Sequence, residues 1–460
     1  EPGHTAAVAV NAIGEYSLGD ADSASRTIVS GMGGTYRIGR SDEARFSTIA
    51  AAVQSLSLGV EAPVVFEIED GTYAENVYIA DVEGTSAAHP VSFTSLSGER
   101  DKVIIAGAAS DAACGAVTVS NAPYIRFSAL TIAPAQSGFL ASVYYTDSSR
   151  GGMLDDCIVR SAILSGVTSG SSVIRTAAGS GANTNCDGFT VSGCYIEGGY
   201  IGIYAGGSGI VSNPKDSGLR ISGNTISSAC FKGMYVYDCE NFTIEGNSII
   251  AGSNARKSYN GMDVYRPTGS YAITGNKISS HISTDNTGIY IRMAGGSTDA
   301  SRPALVACNA VNISASTPYT YGIMFETTQT NVLLAHNTVR VEGAATLGSC
   351  YALSLSGRAA ATCGVSVLNN ILVNSTKGGA LRTAYNETYA NVTFGGNIYY
   401  GNNGIVDSDG HTLAEYQELT SDTTSAWLCP DFASATDLHL ASVSDEMLRE
   451  RLDAVSTDAD

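Results

Sequence analysis

Four charged residues and five tyrosines occupy matched places in a phrase that this 460-residue chain repeats, and they are its best candidates for chemistry. The phrase reads Gly202-Ile203-Tyr204, Gly233-Met234-Tyr235-Val236, Gly261-Met262-Asp263-Val264, Gly288-Ile289-Tyr290-Ile291 and Gly322-Ile323-Met324-Phe325. Side chains of a strand alternate between its two faces, so with Ile203, Met234, Met262, Ile289 and Ile323 turned inward, the next residue of each copy points out. One outward column then reads Tyr204, Tyr235, Asp263, Tyr290, Met324, and a second, two residues on, reads Tyr237, Tyr265, Arg292, Glu326. Tyr204, Tyr235, Tyr237, Tyr265 and Tyr290 would present flat rings to stack on sugars and hydroxyls to bond them. The alternative is plain strand propensity on a solvated face. Asp263, Arg266, Arg292 and Glu326 are the charges among these rings, where an acid, a base or a charge-neutralising group would sit.

Rung spacing constrains what those charges can do. Asp263 and Glu326, two coils and two residues apart, have backbones roughly 12 Å apart, beyond the ~5–9.5 Å that separates glycosidase carboxyls. Arg292 and Glu326, one rung or about 5 Å apart, read as an ordinary exposed ion pair. A polysaccharide lyase would need Tyr290 or Arg266 to take an α-proton and Arg292 to neutralise the adjoining carboxylate. Asp407-Ser408-Asp409-Gly410 has the look of a calcium-loop fragment without its distal Glu, and reads as a turn. The His residues show no ligand spacing, so neither a metal site nor a cofactor is expected; calcium stays open without a recognised site.

The elements that must hold these columns announce themselves in a second repeat. Ile221-Ser222-Gly223-Asn224-Thr225-Ile226 is echoed around Asn247, Asn276, Asn309, Asn337, Asn370 and Asn397, with Cys194, Cys157 and Leu130 in the same slot upstream. Each unit of about thirty residues holds two or three short strands, too small to bury an apolar face unless it stacks on its neighbours. That is a β-solenoid. Its Asn residues are expected to take the left-handed backbone at the turn and to bond their amides from rung to rung. Cys157 and Cys194 would be small buried thiols and not nucleophiles.

Four regions are expected. Residues 1–33 read as a linker or edge segment, in which Gly14-Glu15-Tyr16-Ser17-Leu18-Gly19 anticipates Gly34-Thr35-Tyr36-Arg37-Ile38-Gly39. Residues 34–120 hold a cap and the first coils. Phe46, Ile49, Val53 and Leu56 share one helical face behind a Ser47 N-cap, which would cover the open end of the core. Regular coils fill 121–404. Residues 405–460 make a C-terminal cap and tail, with a short helix over Leu413–Leu419, a closing segment from Trp427 to Leu440 and a frayed acidic end.

Lys and Arg number 25 against 44 Asp and Glu, a net charge of −19. Such an acidic balance argues against nucleic acid and anionic membranes as partners. No run of eighteen apolar residues spans a membrane. Ten Cys lack the density of a disulfide scaffold, and Cys230 and Cys239, about 25 Å apart in an extended strand, cannot bridge each other.

The residues Gly34-Thr35-Tyr36-Arg37-Ile38-Gly39, Phe46-Ser47-Thr48-Ile49, Pro63-Val64-Val65-Phe66-Glu67-Ile68 and Gly71-Thr72-Tyr73-Ala74-Glu75-Asn76-Val77 resemble the opening of the pectin-lyase-like right-handed parallel β-helix proteins. They are most similar to exported, surface-associated β-helix proteins of Bacteroidetes, whose closing segment Asp437-Leu438-His439-Leu440 also resembles. The resemblance implies an all-β chain forming a single right-handed parallel β-helix with an N-terminal capping helix and Asn-ladder turns. It also implies that the Tyr-bearing strands line a groove used by polysaccharide-acting relatives. The paired Asp motifs of pectin methylesterases are missing, and Asn183-Thr184-Asn185-Cys186-Asp187-Gly188 is only a broken echo of the polygalacturonase motif. The expectation is an exported or cell-surface module, a monomeric part of a larger protein, that recognises a polysaccharide or other glycan without inserting into a membrane. A lyase, a hydrolase, or an inert stalk or adhesin are the alternatives.

Overall fold

Alternation of buried and half-buried residues in strands of three to seven residues, such as Val91–Ser95 and Tyr195–Glu197, leaves each coil with one inward apolar edge that only another coil can cover. A computed structural model describes residues 31–441, except 108–112, 136–137, 165–170, 178–184, 208–214, 283, 294, 328, 345, 357–363 and 384–390. Every stacked strand pair is parallel, and the coils build three long faces. Sheet A has 13 strands, from Met32–Ile38 to Val392–Gly395; sheet B has 13, from Gly71–Tyr73 to Ala426–Trp427; sheet C has 11, from Val77–Ala80 to Leu381–Thr383. Each coil visits A, B and C in turn, so the chain is a single right-handed parallel β-helix.

The core is built from like-on-like columns. Ile196, Ile226, Ile249, Ile278, Val311, Val339 and Leu372 follow one another up sheet B in register, and all are buried. Phe66, Phe93 and Phe127 stack at 4.8 and 5.2 Å between ring centres in sheet A.

The Asn ladder lies between sheets A and B. Asn224 Nδ2 donates to Asn247 Oδ1 at 2.8 Å, and the same bond repeats through Asn276, Asn309, Asn337, Asn370 and Asn397 at 2.9–3.0 Å. Each Oδ1 also accepts the backbone N–H of the rung before it. Cys194 N–H donates to Asn224 Oδ1 at 2.9 Å, and the ladder ends where Asn397 N–H donates to Ser425 Oγ at 2.8 Å. One expectation is corrected: the left-handed residue is not the ladder Asn but the one before it, namely Gly223, Gly246, Gly275, Cys308, His336, Asn369 and Gly396. The Asn must keep its side chain pointing into the stack, so its neighbour absorbs the turn.

Helix α1 (Ile49–Ser55) starts at Thr48, whose Oγ1 accepts from Ala51 N–H at 3.1 Å, and not at Ser47. It buries Ile49, Ala52 and the following Leu56 against the first coil. At the far end, α2 (Leu413–Thr420) carries a Thr412/Glu415 capping box and buries Tyr416 against Phe394 and Tyr399. The chain then runs back outside sheet B, where Asn312 Nδ2 and Arg340 Nη1 donate to Ala435 O at 2.7 and 3.2 Å. The Gly14–Gly19 echo and the acidic tail lie outside the described residues. Among the described residues no helix is long and apolar enough to cross a membrane. Cys157, Cys186, Cys194, Cys239 and Cys350 are buried as free thiols, and burial pushes the Cys157 thiol well up, which keeps it protonated.

Candidate functional site

Strict parallel register on sheet C turns the two sequence columns into physical ones. Tyr204, Tyr235, Asp263, Tyr290, Met324, Ser354 and Arg382 are successive partners, with Tyr144 and Arg175 before them. Tyr237, Tyr265 and Arg292 are partners in the second column. Tyr204, Tyr235, Tyr237, Tyr265 and Tyr290 are all half-buried, and the first four touch in sequence. Tyr204 and Tyr235 meet edge to face at 5.3 Å, Tyr235 and Tyr237 tilt at 5.7 Å, and Tyr237 stacks on Tyr265 at 5.2 Å. Arg292 joins the fifth ring, its guanidinium 4.9 Å from the Tyr265 centre and 5.1 Å from that of Tyr290.

The four charges do not form one cluster. Asp263 is fully buried: Arg292 grips it with Nε on Oδ1 at 2.9 Å and Nη2 on Oδ2 at 2.8 Å, and Lys232 Nζ donates to the same Oδ2. Glu326 accepts instead from Tyr290 Oη at 2.7 Å, so the expected Arg292–Glu326 ion pair is replaced by two separate contacts. The reason is reach: the Arg292 side chain extends one rung back, where a bidentate carboxylate is available. Arg266 sits apart with Asp238, its Nη2 2.8 Å from Asp238 Oδ2, and Lys215 Nζ approaches Asp238 Oδ1 at 3.3 Å.

Lys232, absent from the sequence-level candidates, is central. It lies three residues before Tyr235, its ammonium is 3.8 Å from the Tyr235 ring centre, and only 7% of its side chain is exposed. The signal available was its position at the start of the Gly-Met-Tyr phrase, where the equivalent residues Asn260, Thr287 and Tyr321 are in register. Burial lowers the Lys232 pKa against the opposing pull of Asp263. Burial, and then the Glu326 contact, raise that of Tyr290; burial, with Asp263 next, raises that of Tyr235. Both phenols therefore act as hydrogen-bond donors at neutral pH, and Tyr290 is a poor base unless Glu326 takes its proton.

Below the Arg266 group, Asp216 is 4% exposed and accepts from Cys186 N–H at 3.3 Å. Burial pushes it up to about 7, helped by the nearby Asp187 and Asp238. Asp407, Asp409 and His411 bring ligand atoms within 4.8 Å of one another. Yet Asp407 Oδ1 accepts from the N–H groups of Asp409 and His411, and Oδ2 meets His411 Nδ1 at 2.7 Å, the geometry of the turn the sequence suggested.

Residues 117–253 match the family model described as the right-handed beta helix region. No curated protein matches by sequence. Among solved structures, a lacto-N-biosidase from Eubacterium ramulus is 11% identical with a TM-score of 0.50, covering 86% of this chain and 67% of its own. The Dettilon tailspike protein is 15% identical with a TM-score of 0.43, covering 80% and 66%. The pectate lyase Pel9A is 12% identical with a TM-score of 0.45, covering 91% of each chain. The chain spans only 66% of the tailspike's length and 67% of the lacto-N-biosidase's. At these identities the likeness is one of fold. The three-sheet stack, the Asn ladder and the matched region together make this chain a right-handed parallel β-helix.

Proposed function

We propose that this protein is an exported or cell-surface module that binds a carbohydrate polymer along sheet C. The observation that carries the reading is the continuous run of Tyr204, Tyr235, Tyr237 and Tyr265, extended by Arg292 to Tyr290, on the outer face of strands whose spacing repeats every rung. Half-buried rings held by neighbours lose little freedom when a sugar stacks on them, and their hydroxyls reach its polar edge. The lacto-N-biosidase that shares the fold supports a saccharide partner.

A catalytic reading, lyase or hydrolase, draws on two groups flanking Asp263 on the same sheet: Lys232, whose pKa burial lowers, held on Asp263 itself, and the Tyr290–Glu326 hydrogen bond one rung beyond it. Asp263 does not serve it as a free acid or nucleophile, since it is buried and bound by two cations. Affinity electrophoresis through gels containing plant, algal and host polysaccharides, with and without calcium, tests the binding reading. Retardation by at least one polymer, reduced about fivefold or more in Tyr237→Ala/Tyr265→Ala, is expected at about 0.5–1.5 kcal/mol per ring contact. Retardation that the double variant leaves unchanged would sink it. Mass spectrometry of the incubated polymers, repeated with Lys232→Met, decides for the enzyme if new oligosaccharides appear and vanish with that change.

A further inference from the structure

Sheet A carries a second surface that the sheet C groove does not use. Arg126 lies on the outward face of the strand Ile125–Ser128, in register with Met153 and Thr190 on the next two rungs. Two residues earlier the chain turns, and the turns stack as well: Tyr124 N–H donates to Arg150 O at 2.8 Å, Gly151 N–H to Asp187 O at 2.7 Å, and Gly188 N–H to Ser217 O at 2.8 Å. Register therefore places Arg150 one rung above Tyr124, and Arg126 and Arg150 line one depression of about 460 Å³ with Tyr124, Asp187, Thr190 and Ser217. Tyr124, Gly151 and Gly188 all have left-handed backbones there. A Cβ added at Gly151 would lie 2.5 Å from the Tyr124 ring, so the glycine is what lets that ring fold over the depression.

In a chain with 44 acidic side chains, neither guanidinium makes an ion pair among the described residues, and Arg126 Nε is buried without a hydrogen-bond partner. Four other arginines are paired with carboxylates, Arg292 with Asp263, Arg266 with Asp238, Arg100 with Asp156 and Arg160 with Glu197, whereas Arg126 and Arg150 share one depression with no acid among the described residues bound to either. Two unpaired forks side by side present planar donors that match an oxyanion. One rung beyond Arg150, Asp187 Oδ1 accepts from Ser217 N–H at 2.8 Å and from its hydroxyl at 3.4 Å, and the Thr190 hydroxyl donates to Gly188 O at 3.4 Å, which leaves Asp187 Oδ2 and the Thr190 oxygen to accept from neutral donors. Guanidinium donors and hydroxyl-binding groups lining one depression of the size that holds small ligands suit one sugar that carries an acidic group.

We propose that the Arg126–Arg150 depression binds an acidic saccharide unit, its carboxylate or sulfate against the two guanidinium groups and its hydroxyls toward Asp187, Thr190 and Ser217. The site is separate from sheet C and stands or falls independently of the reading given for that groove. Isothermal titration calorimetry at low salt with sodium glucuronate tests it, with acetate as an anion lacking the hydroxyls and glucose as a sugar lacking the charge. Saturable glucuronate binding, several-fold tighter than acetate and absent for glucose, is expected. Arg126→Gln/Arg150→Gln should weaken it tenfold or more at an unchanged melting temperature, Arg126→Lys/Arg150→Lys should retain part of it, and Tyr235→Ala should leave it intact. No saturable glucuronate binding, affinity equal to that of acetate, indifference to the double Gln variant, or loss in Tyr235→Ala would each overturn the proposal.

Discussion

Asp263 shows how burial changes the meaning of a residue. On a strand diagram it is an outward acid among tyrosines, but Lys232 and Arg292 close over it until no surface remains. Removing one partner from a buried ion group leaves an uncompensated charge, which costs about 3–5 kcal/mol. Asp263→Asn should therefore lower stability by that amount in urea titrations, whereas Glu326→Gln, at a half-buried and singly bonded carboxylate, should cost under about 1 kcal/mol. Equal effects would refute the anchor role. Asp216 makes a prediction with a sign. Its folded pKa of about 7 lies above the ordinary value of 3.8, so between these pH values the folded state binds more protons than the unfolded one. Its contribution to stability is full below the lower value, falls as pH rises through this window, and is flat above it. Asp216→Asn should flatten the pH dependence of the unfolding midpoint between pH 4 and 7, with a difference of a few kcal/mol at most; an unchanged slope would show that Asp216 is not the group responsible.

At the scale of the coil, the ladder and the glycine column do the positioning. Each ladder Asn bonds both neighbouring rungs and the core side of sheet A, as when Asn309 Nδ2 reaches Ile273 O at 2.9 Å and Asn337 Oδ1 at 2.9 Å. Cys194 occupies the next slot with a thiol that cannot donate well to Asn224 Oδ1. Cys194→Asn should extend the ladder by one rung and stabilise the fold by about 0.5–1.5 kcal/mol; destabilisation in thermal unfolding would mean that this coil is too tight for an amide. Gly261 has the opposite constraint, because an added Cβ would lie 2.6 Å from Ile278 Cγ2 and 2.7 Å from Gly288 O. Gly261→Ala should therefore cost about 1–3 kcal/mol by overpacking, and should loosen the strand that holds Asp263. An unchanged unfolding midpoint in this variant would show that the rung gives way freely.

A solenoid distributes stability among nearest neighbours, so its ends decide where unfolding starts. Tyr416 on α2 is fully buried over Phe394 and Tyr399, and its hydroxyl lies 3.1 Å from that of Tyr399. Tyr416→Ala should cost about 3–5 kcal/mol locally. Hydrogen exchange should then lose protection in the coils near 392–427 while those near 60–130 keep theirs; uniform loss would show one cooperative unit. Much of this architecture is legible in the sequence, because the Asn slots, the inward Ile and Val positions and the Gly-apolar-Tyr phrase have a period, and stacking a periodic chain puts equal positions on top of one another. The Tyr columns follow from that register alone. What only the tertiary structure decided is where long side chains go once the columns exist. Arg292 reaches back to Asp263 and not on to Glu326, Lys232 leans in from three residues before Tyr235, and Arg126 and Arg150 line one depression. Backbone period fixes the position of each Cβ to within a rung, but a charged head several bonds farther out settles where partners and burial favour it, and that choice has no period to read.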